Sequence, residues 1–374
     1  MTENSQEMAN ILSQQYESMF SITGDEHRIK DVKEFFSETN ATSGYLNDIQ
    51  FSPQDVEKVL LALPGDSAAG PDGVPSELLK NAAKGLREPL WIMYRKSLDD
   101  GQPLESVYSA SITPIFKGGN KDDPQKYRPV SLTSHIVKVF ERLLRKSLVN
   151  HLEENKLINE SQHGFRGNRS TLTQLLEFYE TVLELSEPGG LVDAIYLDYA
   201  KAFDKVSHCI LLKKLKEEAK IGGKIGLWIH EFLTNRVQYV VVNGESSDSV
   251  QVQSGVPQGT VIGPILFIIM ISDIDEGVRN QISLYADDTR LYGKVKNVND
   301  NEPIFPKAVN GLIEKVITNK VVMGELLLKA EGQDLDKRDL LTYEIIEKAQ
   351  QEQFKIEPST GEIKLKKPLE TLNA

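Results

Sequence analysis

The segment ISLYADDTRLYG, residues 282–293, most narrowly limits what this chain can fold into. Apolar residues flank a short acidic centre, the pattern of a tight β-hairpin that carries Asp287 and Asp288 at its tip. A further carboxylate, Asp198, falls at the end of LVDAIYLDY, residues 191–199, a β-branched and aromatic run typical of a buried strand. Two carboxylates ~4 Å apart repel by about 4 kcal/mol at an effective dielectric of ~20, so a fold keeps them together mainly where cations neutralise them. Oxygen donors without His or Cys suit Mg²⁺ or Mn²⁺. Two such ions can activate an attacking oxygen and stabilise a leaving one in an in-line phosphoryl transfer. The plainer alternative is that Asp198 caps a helix and Asp287-Asp288 is a polar turn.

With 374 residues, 40% hydrophobic and 26% charged, the chain has globular composition and enough length for two or three domains. One cysteine, Cys209, excludes an internal disulfide framework and a cysteine-based zinc cluster. The net charge of -12 is opposite to that of a simple nucleic-acid-binding module, but it is unevenly spread. Residues 1–60 carry 4 Lys/Arg against 11 Asp/Glu, whereas residues 113–146 carry 8 against 3 and residues 201–224 carry 7 against 3. Those two basic segments could face phosphates, or form solvated helix faces. The N-terminus is polar and acidic with no basic stretch before an apolar run, so no secretory signal is visible and a cytoplasmic or nuclear location is expected. The longest apolar run, VIGPILFIIMI at 261–271, is shorter than the ~18 to 20 residues that cross a bilayer and reads as a buried helix.

Periodicity predicts helices over 53–98 with a turn-rich interruption, then over 132–154, 171–186, 207–219, 224–235 and 258–272. Strands are expected at 108–116, 191–199, 236–243 and 249–254. From residue 297 short alternating strands follow, at 325–330, 341–346, 354–356 and 362–365.

The order of the segments carries more than any one of them. TPIFKGGNKDDPQKYRPVSL (113–132), HGFRGNRST (163–171), AIYLDYAKAFDKVSH (194–208), SGVPQGTVIGPILF (254–267) and YADD (285–288) resemble, in order and approximate spacing, the successive motifs of reverse transcriptases. With AAGPDGVPSELLK (68–80), the likeness is to the polymerases of non-LTR retrotransposons. This resemblance covers roughly residues 50–296 and implies a fingers and palm fold, with an RNA template, a DNA primer and dNTP as partners.

Residue by residue, the resemblance makes Asp198 and Asp287 the principal metal ligands and Asp288 the third acidic group. A hairpin beside the Asp198 strand can bring its tip to that strand's end, which agrees with such a site. Phe203 matches the aromatic beneath the incoming sugar that excludes a 2′-hydroxyl, or is a core phenylalanine. Lys117 and Arg128 match triphosphate-holding residues, or are exposed charges. Gln258 and Gly259 match a turn that opens a helix near template and nucleotide, and Arg166 matches a template contact. After YADDTRLYG no further palm helix, primer grip or thumb is recognisable, and neither an endonuclease nor a ribonuclease H is present. Little or no primer extension is therefore expected, because primer alignment carries much of the rate.

NVNDNEPIF (297–305), GQDLD (332–336), LTYEI (341–345) and FKIEPSTGEIKLKKPLE (354–370) resemble a single cadherin extracellular repeat, a Greek-key β-sandwich that binds Ca²⁺ between successive copies. The resemblance assigns Asn299, Asp300, Asn301, Glu314, Asp334 and Asp336 to ligand positions of incomplete calcium sites that need neighbouring repeats. The expected whole is α+β: an acidic helical segment at 1–50, fingers and palm without a thumb at 51–296, and a cadherin-like sandwich at 297–374. The leading function is RNA-directed DNA polymerase ancestry, impaired in this form. The alternative is a fragment for calcium-dependent cell adhesion, and a third is a fusion product without function.

Overall fold

The computed structural model describes residues 4–20, 29–37, 39, 43–65, 67–187, 192–199, 201–276, 278, 280–294, 326–331, 354–356 and 363–365, with backbone alone for Asp193, Asp198 and the last three segments. The chain divides into two compact units, residues 1–157 with 206–270 and residues 158–205 with 271–374. The expected linear partition at residues 50 and 296 differs from this one, because the chain leaves the first unit at 157, returns to it at 206 and leaves again at 270.

In the first unit, helix α1 (Ser5–Glu17) precedes α2 (Val32–Ser37), α3 (Pro53–Leu61), α4 (Ser76–Asn81) and α5 (Ala83–Asp100). Strands β1 (Ser109–Phe116) and β2 (Tyr127–Leu132) form an antiparallel ribbon, followed by α6 (His135–Glu154). After the excursion come α8 (His208–Glu217), α9 (Gly223–Leu233), β4 (Val237–Val242), β5 (Glu245–Ser246), β6 (Val250–Gln251) and α10 (Gly263–Met270). The sheet runs β2-β1-β4-β5, with β6 also on β4, and β1 and β4 are parallel.

Local chemistry explains several boundaries. Ser52 and Asp55 form a reciprocal capping box with Pro53 in the first turn of α3, satisfying two amides that the helix itself cannot. Ser134 caps α6, its hydroxyl accepting from the Ile136 amide, which starts that helix three residues later than its apolar pattern suggests. Sequence periodicity missed β2, where Pro129 removes a backbone donor; the strand lies at the sheet edge, the place such a residue tolerates. Helix α1 and the turn after it lay Leu12, Tyr16 and Met19 over Ala110, Ile112 and Val240 of the sheet, so the acidic N-terminal segment contributes to this core. Deeper among the helices, the rings of Tyr94, Phe140, Trp228 and Phe232 follow one another at centroid distances of 5.1, 5.2 and 5.4 Å.

The second unit holds α7 (Thr171–Ser186) and strands β3 (Val192–Tyr199), β7 (Gln281–Tyr285) and β8 (Asp288–Lys294). Its remaining strands are β9 (Leu326–Glu331), β10 (Phe354–Ile356) and β11 (Ile363–Leu365), and the sheet order is β10-β11-β9-β3-β8-β7. The cadherin-like sandwich expected at 297–374 is not shown among the described residues. Strand β9 pairs antiparallel with β3 from Ala194↔Glu331 to Tyr199↔Leu326, so the described C-terminal strands extend the sheet that carries Asp198. The strand expected at 341–346 lies outside the described residues. No helix among the described residues is long and apolar enough to cross a membrane.

One buried charge ties α6 to the start of α10. Glu141 is 0% exposed, and its Oε2 accepts from the amides of Val261 at 2.6 Å and Ile262 at 3.0 Å. Burial raises its carboxyl to about 6 from an ordinary 4.5, opposed by those two amides and by the charges of Arg236 and Lys138. A carboxyl with a raised folded pKa favours the proton-bound native state, so its stabilising share is full below ~4.5 and is lost as pH rises through about 6. The difference corresponds to about 2 kcal/mol. Glu141→Gln should abolish this dependence: between pH 4.5 and 7 the native protein loses roughly 2 kcal/mol relative to the variant in denaturant unfolding. Parallel stability curves for the two proteins would contradict it.

Candidate functional site

The acidic hairpin is built by register. Strand β8 pairs with β3 from Val192↔Lys294 to Leu197↔Thr289, and with β7 from Gln281↔Tyr292 to Tyr285↔Asp288. Continuing the first ladder by one residue places position 198 across from Asp288, and Asp287 stands in the two-residue turn beside it. Residues directly opposed in an antiparallel pair are ~4.5 to 5.5 Å apart at Cα. All three predicted acidic positions thus come to one end of one sheet. Asp287 is half-buried and Asp288 exposed. Among the described side chains no group of three His, Cys, Asp or Glu is close enough to hold an ion, and the described part of this set is the pair Asp287 and Asp288. A carboxylate-only donor set fits a hard divalent cation.

The hairpin is fixed from below by α7 and from the side by residues 161–164. Phe178 of α7 meets Tyr292 of β8 edge to face at 4.9 Å, and the Arg290 guanidinium lies over both Phe178 and Tyr196. Main-chain bonds link Leu284 N–H to the Ser161 carbonyl at 2.9 Å and His163 N–H to the Leu284 carbonyl at 2.8 Å. The His163 ring is buried, with Nδ1 3.0 Å from Thr173 Oγ1 and Nε2 2.9 Å from Glu177 Oε2. Burial lowers its pKa although Glu177 opposes the shift. Arg166, expected at the template, directs Nη1 to the carbonyls of Asn159 at 2.9 Å and Gln162 at 3.4 Å. Phe203 is half-buried in the turn that follows β3.

The remaining candidates belong to the first unit. Lys117 and Arg128 are exposed on the β1–β2 ribbon, where Arg128 pairs with Ile115 and the Lys117 amide donates to the Lys126 carbonyl at 2.8 Å. Residues 115 and 117 alternate back to one face, so Lys117 and Arg128 share a side of the ribbon. Gln258 is half-buried, and its carbonyl accepts from the Ser131 amide at 2.9 Å. Gly259 has φ +99°, and a Cβ there would sit 2.5 Å from the Ser131 carbonyl oxygen. The glycine therefore lets the 257–260 turn close onto β2. This also corrects the helix expected from residue 258: α10 begins at Gly263, because left-handed backbone at 259 cannot continue a helix.

Sequence reasoning passed over Gln162 and Glu141, two buried polar side chains that bond to distant backbone. Their only signal is a polar residue inside an otherwise ordinary stretch. Asn299, Asp300, Asn301, Glu314, Asp334 and Asp336, expected at calcium sites, lie outside the described residues.

Compared with known families, residues 117–318 match the reverse transcriptase (RNA-dependent DNA polymerase) family. The match continues past residue 296 through the 297–305 segment and position 314, and the comparisons give the cadherin reading no support. Among curated proteins the chain is similar to the "RNA-directed DNA polymerase from mobile element jockey" of Drosophila melanogaster, 31% identical over 66% of this chain and 28% of that protein. It is similar also to the "Probable RNA-directed DNA polymerase from transposon BS" of the same species, 27% identical over 78% of this chain and 33% of the relative. A third relative, from transposon X-element, is 29% identical over 65% and 26%. The chain thus spans between a quarter and a third of the length of these relatives.

Gly259→Ala should cost about 1 to 3 kcal/mol of unfolding free energy, through left-handed strain and the clash with Ser131. Chemical denaturation measures it, and a neutral substitution would show that the turn does not need its close approach to β2.

Proposed function

The chain belongs to the reverse transcriptase (RNA-dependent DNA polymerase) family, and on that premise we propose that it carries the nucleotidyl-transfer site of a non-LTR retrotransposon polymerase, extending a DNA primer on an RNA template. The observation that supports this reading is the register that sets position 198 against Asp288 beside the turn holding Asp287. The primer 3′-oxygen attacks the α-phosphorus of a dNTP, the bond to the β-phosphate bridge breaks, and pyrophosphate leaves. Asp198, Asp287 and Asp288 would hold Mg²⁺ or Mn²⁺, which supplies charge neutralisation for the attacking and leaving oxygens when bound.

The other assignments follow the chemistry of each side chain. Lys117 and Arg128 place two cations on one face of the ribbon, suited to the charge of a triphosphate. Phe203 packs against the sugar, where a 2′-hydroxyl meets carbon. Gln258 and Gly259 order the 257–260 turn, which the family resemblance assigns to template and nucleotide, and Arg166 would serve the template segment by stiffening residues 159–166 from within.

Purified protein with an RNA template, a DNA primer, dNTPs and Mg²⁺ tests the reading. Extension by the wild-type chain is expected to be weak, and Asp287→Ala should remove whatever template-dependent extension is measured, by roughly 1,000-fold or to the detection limit, as charge stabilisation at the transferred phosphoryl group is lost. Measurable wild-type extension that persists undiminished in the variant, or a wild-type protein that binds neither dNTP nor Mn²⁺, overturns the assignment. Phe203→Ala should separately lower the preference for dNTP over rNTP by roughly tenfold or more. An unchanged ratio in single-nucleotide incorporation would return Phe203 to the role of a packing residue.

A further inference from the structure

The turn that carries Asp287 is held in a conformation it does not favour. Ala286, its first residue, has φ +55°, a left-handed backbone that costs an L-residue with a Cβ ~1 to 2 kcal/mol. Glycine or asparagine usually occupies such a place. What offsets the strain is a side chain 124 residues away. Gln162 is 1% exposed, and its Oε1 accepts from the Ala286 amide at 2.9 Å while Nε2 lies 3.4 Å from the Ala286 carbonyl. The same Oε1 accepts from the Gly164 amide at 2.8 Å. Two amide donors converge on that one atom, so it must be the oxygen, and the amide orientation is thereby settled.

Gly164 shows how closely the two segments meet. A Cβ at 164 would lie 2.5 Å from the Ala286 nitrogen and 3.0 Å from Gln162 Oε1. The parallel bridge Gln162↔Leu284 completes a clamp of backbone and side chain around the turn. Neither Gln162 nor Gly164 donates a group to the acidic set.

We propose that Gln162 is a positioning residue whose buried amide holds the Ala286–Asp287 turn in its left-handed form, and so sets the Asp287 carboxylate at the metal end of the sheet. This rests on the proposed metal role of Asp287, and the test separates the two. Groups that orient a ligand from behind typically carry ~10 to 100-fold of metal affinity.

The full chain serves, with two readouts: amide hydrogen exchange across 281–294 and Mn²⁺ binding followed by electron paramagnetic resonance. Gln162→Ala should lose protection at the Ala286 amide, keep it along the β3–β8 ladder, and weaken Mn²⁺ binding by roughly tenfold or more. Ala286→Gly, neutral in the native background, should restore part of the Mn²⁺ affinity to Gln162→Ala, because glycine takes φ +55° without strain. Gly164→Ala, which leaves Gln162 in place but wedges the segments apart, should reproduce the loss, and it decides the matter if Gln162→Ala loses protection throughout the sheet. Wild-type protection at Ala286 together with wild-type Mn²⁺ affinity in Gln162→Ala overturns the proposal. If Asp287→Ala leaves Mn²⁺ binding intact, the metal assignment fails, whereas the exchange result at Ala286 still judges the clamp.

Discussion

Two carboxylates in sequence at the tip of a two-residue hairpin turn impose the constraint on which the second unit depends. Such a turn asks for positive φ at its first residue, which here is alanine, so the turn cannot rely on its own backbone preference. Its geometry has to be supplied from outside. The β3–β8 ladder fixes the hairpin's register, α7 supports it through Phe178 and Tyr292, and residues 161–164 close over the turn. A one-residue slip of β8 against β3 would turn every side chain to the opposite face and part position 198 from Asp288. Core packing and acidic geometry are therefore specified by the same hydrogen bonds.

The first unit solves a similar problem with different chemistry. Its turn at 257–260 has no long ladder of its own, and closes on β2 only because Gly259 lacks a Cβ. Glu141 then takes the two free amides ahead of α10, an arrangement that satisfies the helix start at the cost of burying a carboxylate. Arg236, buried nearby, offsets part of that cost and has its own pKa lowered to about 10 by burial. Both amides donate to the one oxygen Oε2, and the long glutamate side chain lets a residue of α6 reach them from a separate element.

Much of this was legible in the residues. The hairpin at 282–293, the strand ending at Asp198 and helix α7 at 171–186 follow from short-range pattern, because each has a strong period and clear end signals. What could not be read depends on partners far along the chain. The acidity of residues 1–60 conceals that Leu12, Tyr16 and Met19 form an apolar stripe with a sheet to cover. Residues 326–331 have a strand period, but period alone does not say which strand they pair with, and a local likeness to another family assigned them elsewhere. The role of Gln162 is invisible for the same reason: nothing in SQHGF announces a backbone partner at residue 286.

That last case alters how the 163–171 segment is understood. By resemblance, HGFRGNRST offers Arg166 as a template contact. In the fold, His163 is buried against Thr173 and Glu177, Gly164 lies against the Ala286 amide, and one nitrogen of Arg166 bonds two carbonyls of its own loop. Internal bonds of this kind hold the loop to one shape, so little further ordering is needed if it meets a ligand. The same bonds join the loop to the acidic turn. Any displacement of residues 161–164 is thereby transmitted to Ala286, so the loop and the turn that carries Asp287 share one mechanical support.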